Sequence, residues 1–375
     1  MKVGLSVEAL SPELTGIGRY TWELVKRLHD QNIESVQYYY NRRWVSNPAG
    51  LLHSKSSKIL GWKRKILPNP PKWYQEWSMK RTCNSLLFHG PNYFVPECAD
   101  LAIATVHDLS VFKFPDTHPA PRIRQFEDRF TKSMSRVTHL ITDSQSTRKE
   151  VIDFLGLQEK MVTAVPLGVS HKFRPMSLTE LSETLQRYGL APGRYSLCVS
   201  TLEPRKKIDK LLTSFQLLPA EIRYRYPLVL VGGYGWLSES LQSQIASFTG
   251  QGWLRYLGFI SEKDLPFLYA GARTFFYPSM YEGFGLPVLE AMASGVPVVT
   301  SNTSSLPEVS SGASLLVNSD DVEALSLAIY RSLEDTAWRL IAVDRGLAAA
   351  ASFTWKRCVE ETVLVYELVS GEKAL

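Results

Sequence analysis

The run "SMYEGFGLPVLEAMASGVP" (279–297) holds two charged residues, Glu282 and Glu290, among glycines, prolines and aliphatic side chains. Gly283, Gly285 and Pro287 exclude a regular helix before Pro287. Pro at the first helical position, Gly295 past the end and Pro297 beyond it predict a short helix from about 287 to 294. Glu282 then lies in a loop and Glu290 on a helix, "PVLEAMAS", that is apolar nearly all round and so must be buried. A buried carboxylate is costly unless it is paired or faces a polar cavity, and a ligand rich in hydroxyls would supply the missing donors. The amides of 283–286, at a helix start, suit an anion. The plainer alternative for Glu290 is a first-turn glutamate stabilised by the helix dipole.

A second stretch, "VSTLEPRKKIDKLL", places Arg205, Lys206, Lys207 and Lys210 within six residues at an expected helix start. Cations are unfavourable there, and a diphosphate would offset the cost, with Arg gripping it bidentately and Lys acting as a point charge. A solvated basic turn is the alternative. His107 and Asp108 close the apolar strand "LAIATVHDL". An imidazole at that end can hydrogen-bond a bound hydroxyl or act on a proton, unless it is a structural histidine held by Asp108. In "LTGIGRYT", Gly16 and Gly18 precede a helix and would let backbone amides approach a phosphate or sugar. The dinucleotide fingerprint is absent, because the G-x-G-x-x-G spacing and its distant acid are missing.

These residues need a scaffold, and strand and helix patterns alternate from end to end. "KVGLSVEAL", "LAIATVHDL" and "THLITDS" in the first half, then "YSLCVSTL", "YPLVLVGG", "RTFFYPS" and "VPVVTS" in the second, read as strands. "STRKEVIDFLG" reads as a helix with Thr147 and Glu150 at capping-box spacing and Gly156 as its stop. Val/Ile/Leu strands separated by helices predict an α/β fold with parallel sheets covered on both faces, with ligands at the carboxyl ends of the strands. At 375 residues two cores are expected, joined through the Pro/Gly-containing segment 165–180. The boundary is placed near residue 175, giving domains 1–175 and 176–375. Four scattered cysteines, no signal-like start and no apolar run of about 18 residues predict a cytoplasmic protein in a reducing compartment. Residues 42–81 carry ten basic residues, one acid and four of the nine tryptophans, which supplies the whole positive excess of the first half.

"EGFGLPVLE" is similar to the Glu, seven residues, Glu signature of the retaining glycosyltransferases of family four, the mannosyltransferase-like group 1 glycosyltransferases. "TGIGRYT", "TVHDLSVFKFP", "DSQSTRKEV", "VPLGV", "EPRKK", "VGGYGW", "YLGFISEKDLPFLYAGA" and "SSLPEV" stand in the family's order, so the resemblance spans nearly the whole chain. It implies the GT-B architecture, two Rossmann-like domains facing across a cleft, with an N-terminal acceptor domain, a C-terminal donor domain and a last helix able to pack back on the first. It implies that Glu282 holds the donor sugar's hydroxyls and Glu290 the ribose, with Gly283, Phe284, Gly285 and Leu286 near phosphate and sugar. Arg205 and Lys206 would neutralise the diphosphate, helped by Lys210. His107 would contact the donor sugar, Gly16 and Gly18 would line the donor site, and Phe259 would lie beside the base. Thr15 and Thr201 depart from the pattern, standing where many members carry glycine and some carry a second phosphate arginine.

The expected activity is transfer of a hexose with retention from a nucleotide-diphosphate sugar, foremost mannose from a GDP-sugar. The expected acceptor is a saccharide, lipid-linked, in assembly of bacterial surface polysaccharide such as O-antigen or capsule. A UDP-sugar donor, a sugar-nucleotide epimerase of the same fold and a non-catalytic carbohydrate-binding scaffold are the alternatives. No D-x-D occurs in the chain, so neither a metal nor another cofactor is expected, and nucleic acid is not among the expected partners. Tryptophan and basic residues in 42–81 predict peripheral docking to an anionic membrane on its inner face; the alternative is a loop packed on its own domain.

Overall fold

The computed structural model describes residues 1–53, 82, 83, 85–236 and 239–371. The chain folds into two compact units, one of Met1–Leu109, Arg124–Leu167 and Trp355–Leu375, the other of Ser110–Ile123 and Gly168–Thr354.

Among the described residues the first unit is built on seven strands: β1 (Lys2–Ser6), β2 (Ser35–Tyr40), β3 (Arg43–Val45), β4 (Leu87–Gly90), β5 (Leu101–Val106), β6 (His139–Thr142) and β7 (Val162–Ala164). They lie in the order β3-β2-β1-β4-β5-β6-β7, parallel except for β3, which pairs antiparallel with β2 at the edge. The central strands β4 and β6 are buried along their whole length, as expected where helices cover both faces. After β1 the helix Gly16–Arg27 starts at Thr15, whose Oγ1 accepts the Gly18 N–H at 3.2 Å. The helix Gln145–Leu155 is capped by Ser144, whose Oγ accepts the Thr147 N–H at 3.1 Å. Thr147 therefore sits at the third helical position and not at the cap: the extended backbone needed for capping belongs to Ser144. Gly156, at φ +63°, ends the helix as the stop signal predicts.

The last helix, Trp355–Ser370, belongs to this unit. Tyr366 on it shares a hydrogen bond of 2.6 Å with His89 Nδ1, and His89 Nε2 lies 2.8 Å from Thr105 Oγ1. Burial, with His107 nearby, holds the His89 imidazole down to about 3, so it serves as a neutral bridge between strand and helix. Of the basic, tryptophan-rich stretch, 54–81 lies outside the described residues and takes Trp62, Trp73 and Trp77 with it. Trp44, on β3, is half-buried with its ring 5.7 Å from that of Tyr39.

The second unit carries, among the described residues, six parallel strands, β8 (Ser196–Val199), β9 (Leu228–Val231), β10 (Leu254–Tyr256), β11 (Thr274–Tyr277), β12 (Val298–Ser301) and β13 (Leu315–Val317), in the order β10-β9-β8-β11-β12-β13. Its core on one face includes Leu211, Leu212 and Phe215 of the helix Ile208–Gln216, with Phe215 stacked on Trp253 at 5.6 Å. The strand order reverses beside β8: the chain runs outward to β9 and β10, then returns to β11 on the other side. The loops leaving β8 and β11 therefore diverge from neighbouring strands, where an open α/β sheet offers a crevice. In the first unit the same reversal falls between β1 and β4.

Candidate active site

The two stretches singled out for charge leave β8 and β11 and meet at that reversal. Arg205 and Lys206 lie on a single turn, Pro204–Lys206, and not on the first turn of a helix as expected. Lys207, in the left-handed region at φ +52°, breaks the backbone there, and the helix starts only at Ile208. For Arg205 and Lys206 the anticipated dipole conflict is thus relieved by geometry, because their backbone is outside the helix. Lys207 points to Asp320, at 2.7 Å. Lys210 lies half-buried on the first helical turn.

Glu282 follows β11 in the glycine loop and is the centre of the cluster. Its Oε1 accepts from Lys206 Nζ and from the Tyr277 hydroxyl, the latter at 2.8 Å, while Arg205 Nη1 stands 3.6 Å from Oε2. Burial alone would raise this carboxyl, but the ammonium of Lys206 and the guanidinium of Arg205 outweigh it and hold Glu282 down to about 2. Arg205 in turn donates Nη2–H to Glu203 at 2.8 Å and Nη1–H to the Tyr281 carbonyl at 2.6 Å. Two buried cations and two carboxylates thus neutralise one another within a few ångströms, and an incoming anion can recruit the cations by displacing their internal partners.

The loop's backbone is fixed by hydroxyls from the turn after β12. Ser304 Oγ accepts the Glu282 N–H at 3.0 Å, Ser305 Oγ–H reaches the carbonyls of Glu282 and Phe284 at 2.9 and 2.7 Å, and Thr303 Oγ1–H the carbonyl of Met280 at 2.9 Å. Gly283, Phe284 and Gly285 are buried, with the Phe284 ring 5.7 Å from that of the half-buried Phe353. Gly285 takes φ +110°, which only glycine adopts without strain, and lets the helix Leu286–Ala293 begin directly after it. Leu286 is the first residue of that helix, and Glu290 on its second turn is buried, 4% exposed. Phe259, in the loop after β10, is 64% exposed, an open aromatic face at the end of its strand.

The residues singled out in the first unit sit on loops after β1 and β5. Gly16 opens its helix; at Gly18 a Cβ would stand 2.9 Å from the Ala9 carbonyl oxygen, so the close turn requires glycine. His107 is 7% exposed, and its partner is Asp143 rather than Asp108: Nδ1 lies 2.7 Å from Asp143 Oδ2 and Nε2 lies 2.8 Å from the Pro91 carbonyl oxygen. Val106 pairs with Thr142 of the adjacent strand β6, so the next residues, His107 and Asp143, leave the two strands side by side, whereas Asp108 lies one residue further on and its N–H is bound to the Tyr93 hydroxyl at 3.1 Å. Burial lowers the affinity of this ring for a second proton; Asp143 and the Pro91 carbonyl more than restore it, so the net shift is upward. Both ring nitrogens face acceptors, an arrangement that favours a proton on each of them.

Reading of the chain alone missed Tyr277, Glu203, Asp143, Ser304 and Ser305. Glu203 sits inside "EPRKK" and the two serines open "SSLPEV", so composition offered a trace of them. Also unannounced is the segment Ser110–Ile123, which packs with the second unit: Phe114 lies 5.1 Å ring to ring from Tyr281, and the Trp236 indole N–H donates to the Thr117 carbonyl.

Comparison with known proteins gives the family of the chain. Residues 14–173 match the family model "Glycosyltransferase Family 4" and residues 186–345 match "Glycosyl transferases group 1". The chain is 40% identical to the O-antigen chain mannosyltransferase B of Escherichia coli, over 98% of this chain and 100% of that protein. It is 31% identical to the serotype-specific mannosyltransferase WbdA of Escherichia coli over 71% of this chain but only 34% of that longer protein. Among solved structures, HepE of Anabaena in complex with UDP-glucose is similar in fold, with a TM-score of 0.72 at 17% identity over 97% of this chain and 100% of that one. The chain belongs to glycosyltransferase family four, and its two Rossmann-like units are those of a GT-B enzyme.

Proposed function

We propose that this enzyme transfers mannose with retention from a GDP-sugar to a saccharide acceptor, lipid-linked, in assembly of a bacterial surface polysaccharide of the O-antigen type. The single observation that carries the donor half is the convergence of Arg205, Lys206 and Glu282 at the strand reversal of the second unit. The cations take the diphosphate and Glu282 accepts from the sugar's hydroxyls, with the amides of Gly283 to Leu286 and the Glu290 helix completing the nucleotide end. Lys210 and Phe259 take outer positions, toward phosphate and base. The choice of mannose is supported by the 40% identity to a mannosyltransferase over nearly the full length of both chains.

In the transfer, the bond from C1 to the phosphate oxygen breaks with its electron pair moving to the diphosphate. The acceptor oxygen bonds C1 on the same face, and the acceptor's proton passes to the departing phosphate oxygen. Arg205 and Lys206 stabilise the charge that develops there, the role of preorganised cations in a dry site. They supply what a bridging metal would otherwise bring, so transfer is expected to persist in EDTA. In the first unit, Gly16, Gly18 and the ordered His107 loop serve the sugar and the acceptor.

The test is a thermal-shift and calorimetry panel of GDP, UDP, ADP and dTDP, followed by transfer from the matching mannose nucleotide. A nucleotide at a hundred times its Kd stabilises the native state by about 2.7 kcal/mol. GDP is expected to give the largest shift; a larger shift with UDP reassigns the donor, and no shift with any of the four overturns the reading. Docking of residues 42–81 to an anionic surface is a separate part of the proposal, motivated by their basic residues and tryptophans. Equal sedimentation with anionic and neutral liposomes would remove it.

A further inference from the structure

The hydroxyl of Tyr277 stands between the two groups that the donor must separate. Tyr277 is the last residue of β11, 3% exposed, with its ring stacked 6.1 Å from Phe275 beneath it in the same strand. Its phenolic oxygen lies 3.1 Å from Lys206 Nζ and 2.8 Å from Glu282 Oε1. An ammonium can only donate, so the phenolic oxygen accepts from Lys206, and its single proton is left for Glu282. The three groups thus form a directed chain, Lys206 to Tyr277 to Glu282, closed by the direct contact of Lys206 with the same carboxylate oxygen.

The closed triangle has a consequence once a diphosphate arrives. Lys206 gives two of its three N–H bonds to Tyr277 and Glu282, so it can offer a phosphate oxygen one bond in place and more only by turning away from Glu282. As the ammonium moves, Glu282 Oε1 would lose a donor in a buried setting, which is costly for a carboxylate. The tyrosine is rigid, anchored by its strand and ring packing, and keeps donating.

We propose that Tyr277 is a positioning residue for the transfer reaction: its hydroxyl holds Glu282 in place while releasing Lys206 to the donor's diphosphate. This rests on the donor site proposed above. Without the hydroxyl, Glu282 retains Lys206 as its main donor, so the nucleotide must compete for the ammonium and the sugar meets a carboxylate with no fixed orientation.

The test uses Y277F, which keeps the ring and its packing, with E282A and the double variant E282A/Y277F. In the full-length enzyme, Y277F is expected to lower kcat/KM by about tenfold or more and to weaken GDP binding by about three- to tenfold, while the urea midpoint changes little. In the E282A background the hydroxyl has no carboxylate to orient, so adding Y277F is expected to leave the GDP Kd where E282A set it, a non-additive cycle that a purely structural role would not produce. If Y277F alone does not fold, the E282A against E282A/Y277F comparison is made on its own, and a further weakening of GDP there overturns the proposal. Wild-type-like kcat/KM and GDP affinity in Y277F, with the wild type binding and transferring normally, overturns it as well. If the wild type itself binds no nucleoside diphosphate, the donor-site reading falls instead.

Discussion

Arg205 donates to the carbonyl oxygen of Tyr281 at 2.6 Å, and the residue before Tyr281, Met280, returns its N–H to the Arg205 carbonyl at 3.0 Å. One side chain and its own backbone therefore stitch the loop after β8 to the loop after β11. Lysine at this position would keep the charge but could not reach Glu203 and Tyr281 together with one ammonium. R205K is expected to lose about 1–3 kcal/mol in urea denaturation and to bind GDP about tenfold more weakly or worse. Wild-type stability in that variant would show that the stitch is ornamental.

Neutralising Glu282 should separate binding from turnover. E282Q leaves Arg205 and Lys206 with one counter-charge fewer, so GDP is expected to bind more tightly, by about threefold or more, because less internal attraction must be displaced. Transfer is expected to fall about a hundredfold, the scale of losing one group aimed at the reacting centre. Calorimetry and initial rates read the two effects; weaker GDP binding with unchanged turnover would refute the assignment.

The His107–Asp143 pair predicts a pH dependence with a fixed sign. The folded value of His107 is raised above its ordinary value of about 6.5, so its contribution to stability is complete below that pH and is lost as pH rises through the folded value. The stability difference between wild type and H107N is therefore expected to shrink with rising pH, by at most about 1.4 kcal/mol per pH unit. Urea titrations from pH 6 upward check this, and a difference that grows with pH would reverse the assignment.

Ser305 is buried and its hydroxyl bridges the carbonyls of Glu282 and Phe284. S305A should cost about 1–2 kcal/mol of stability, since it leaves two carbonyls short of a donor. It should also reduce kcat/KM, because the Glu282 backbone loses its anchor. Chemical denaturation and kinetics on the same preparation test both; full activity would mean that the loop holds its shape without the hydroxyl.

The alternation of apolar strands and helices was legible because it is a local pattern, as was the short helix bearing Glu290. The pairing of residues was not. Tyr277, Lys206 and Arg205 meet Glu282 across 5, 76 and 77 positions of sequence, and His107 meets Asp143 across 36. Periodicity says which side of an element is buried, while only strand order says which loop ends face each other. That is why Asp108, the neighbour in sequence, looked like the partner of His107 when the neighbour in space is Asp143. The same limit applies to Ser110–Ile123, whose proline-containing sequence does not say that it packs with the second unit.

The hydroxyl clamp on the glycine loop has a thermodynamic corollary. Ser304, Ser305 and Thr303 already immobilise the backbone around Glu282, so little of that loop's conformational entropy remains to be lost when a sugar nucleotide arrives. If the donor binds as proposed, discrimination between donors falls to side chains at the periphery, such as the open ring of Phe259, and a change of donor preference would arise by substitution there while the centre around Glu282 stays as it is.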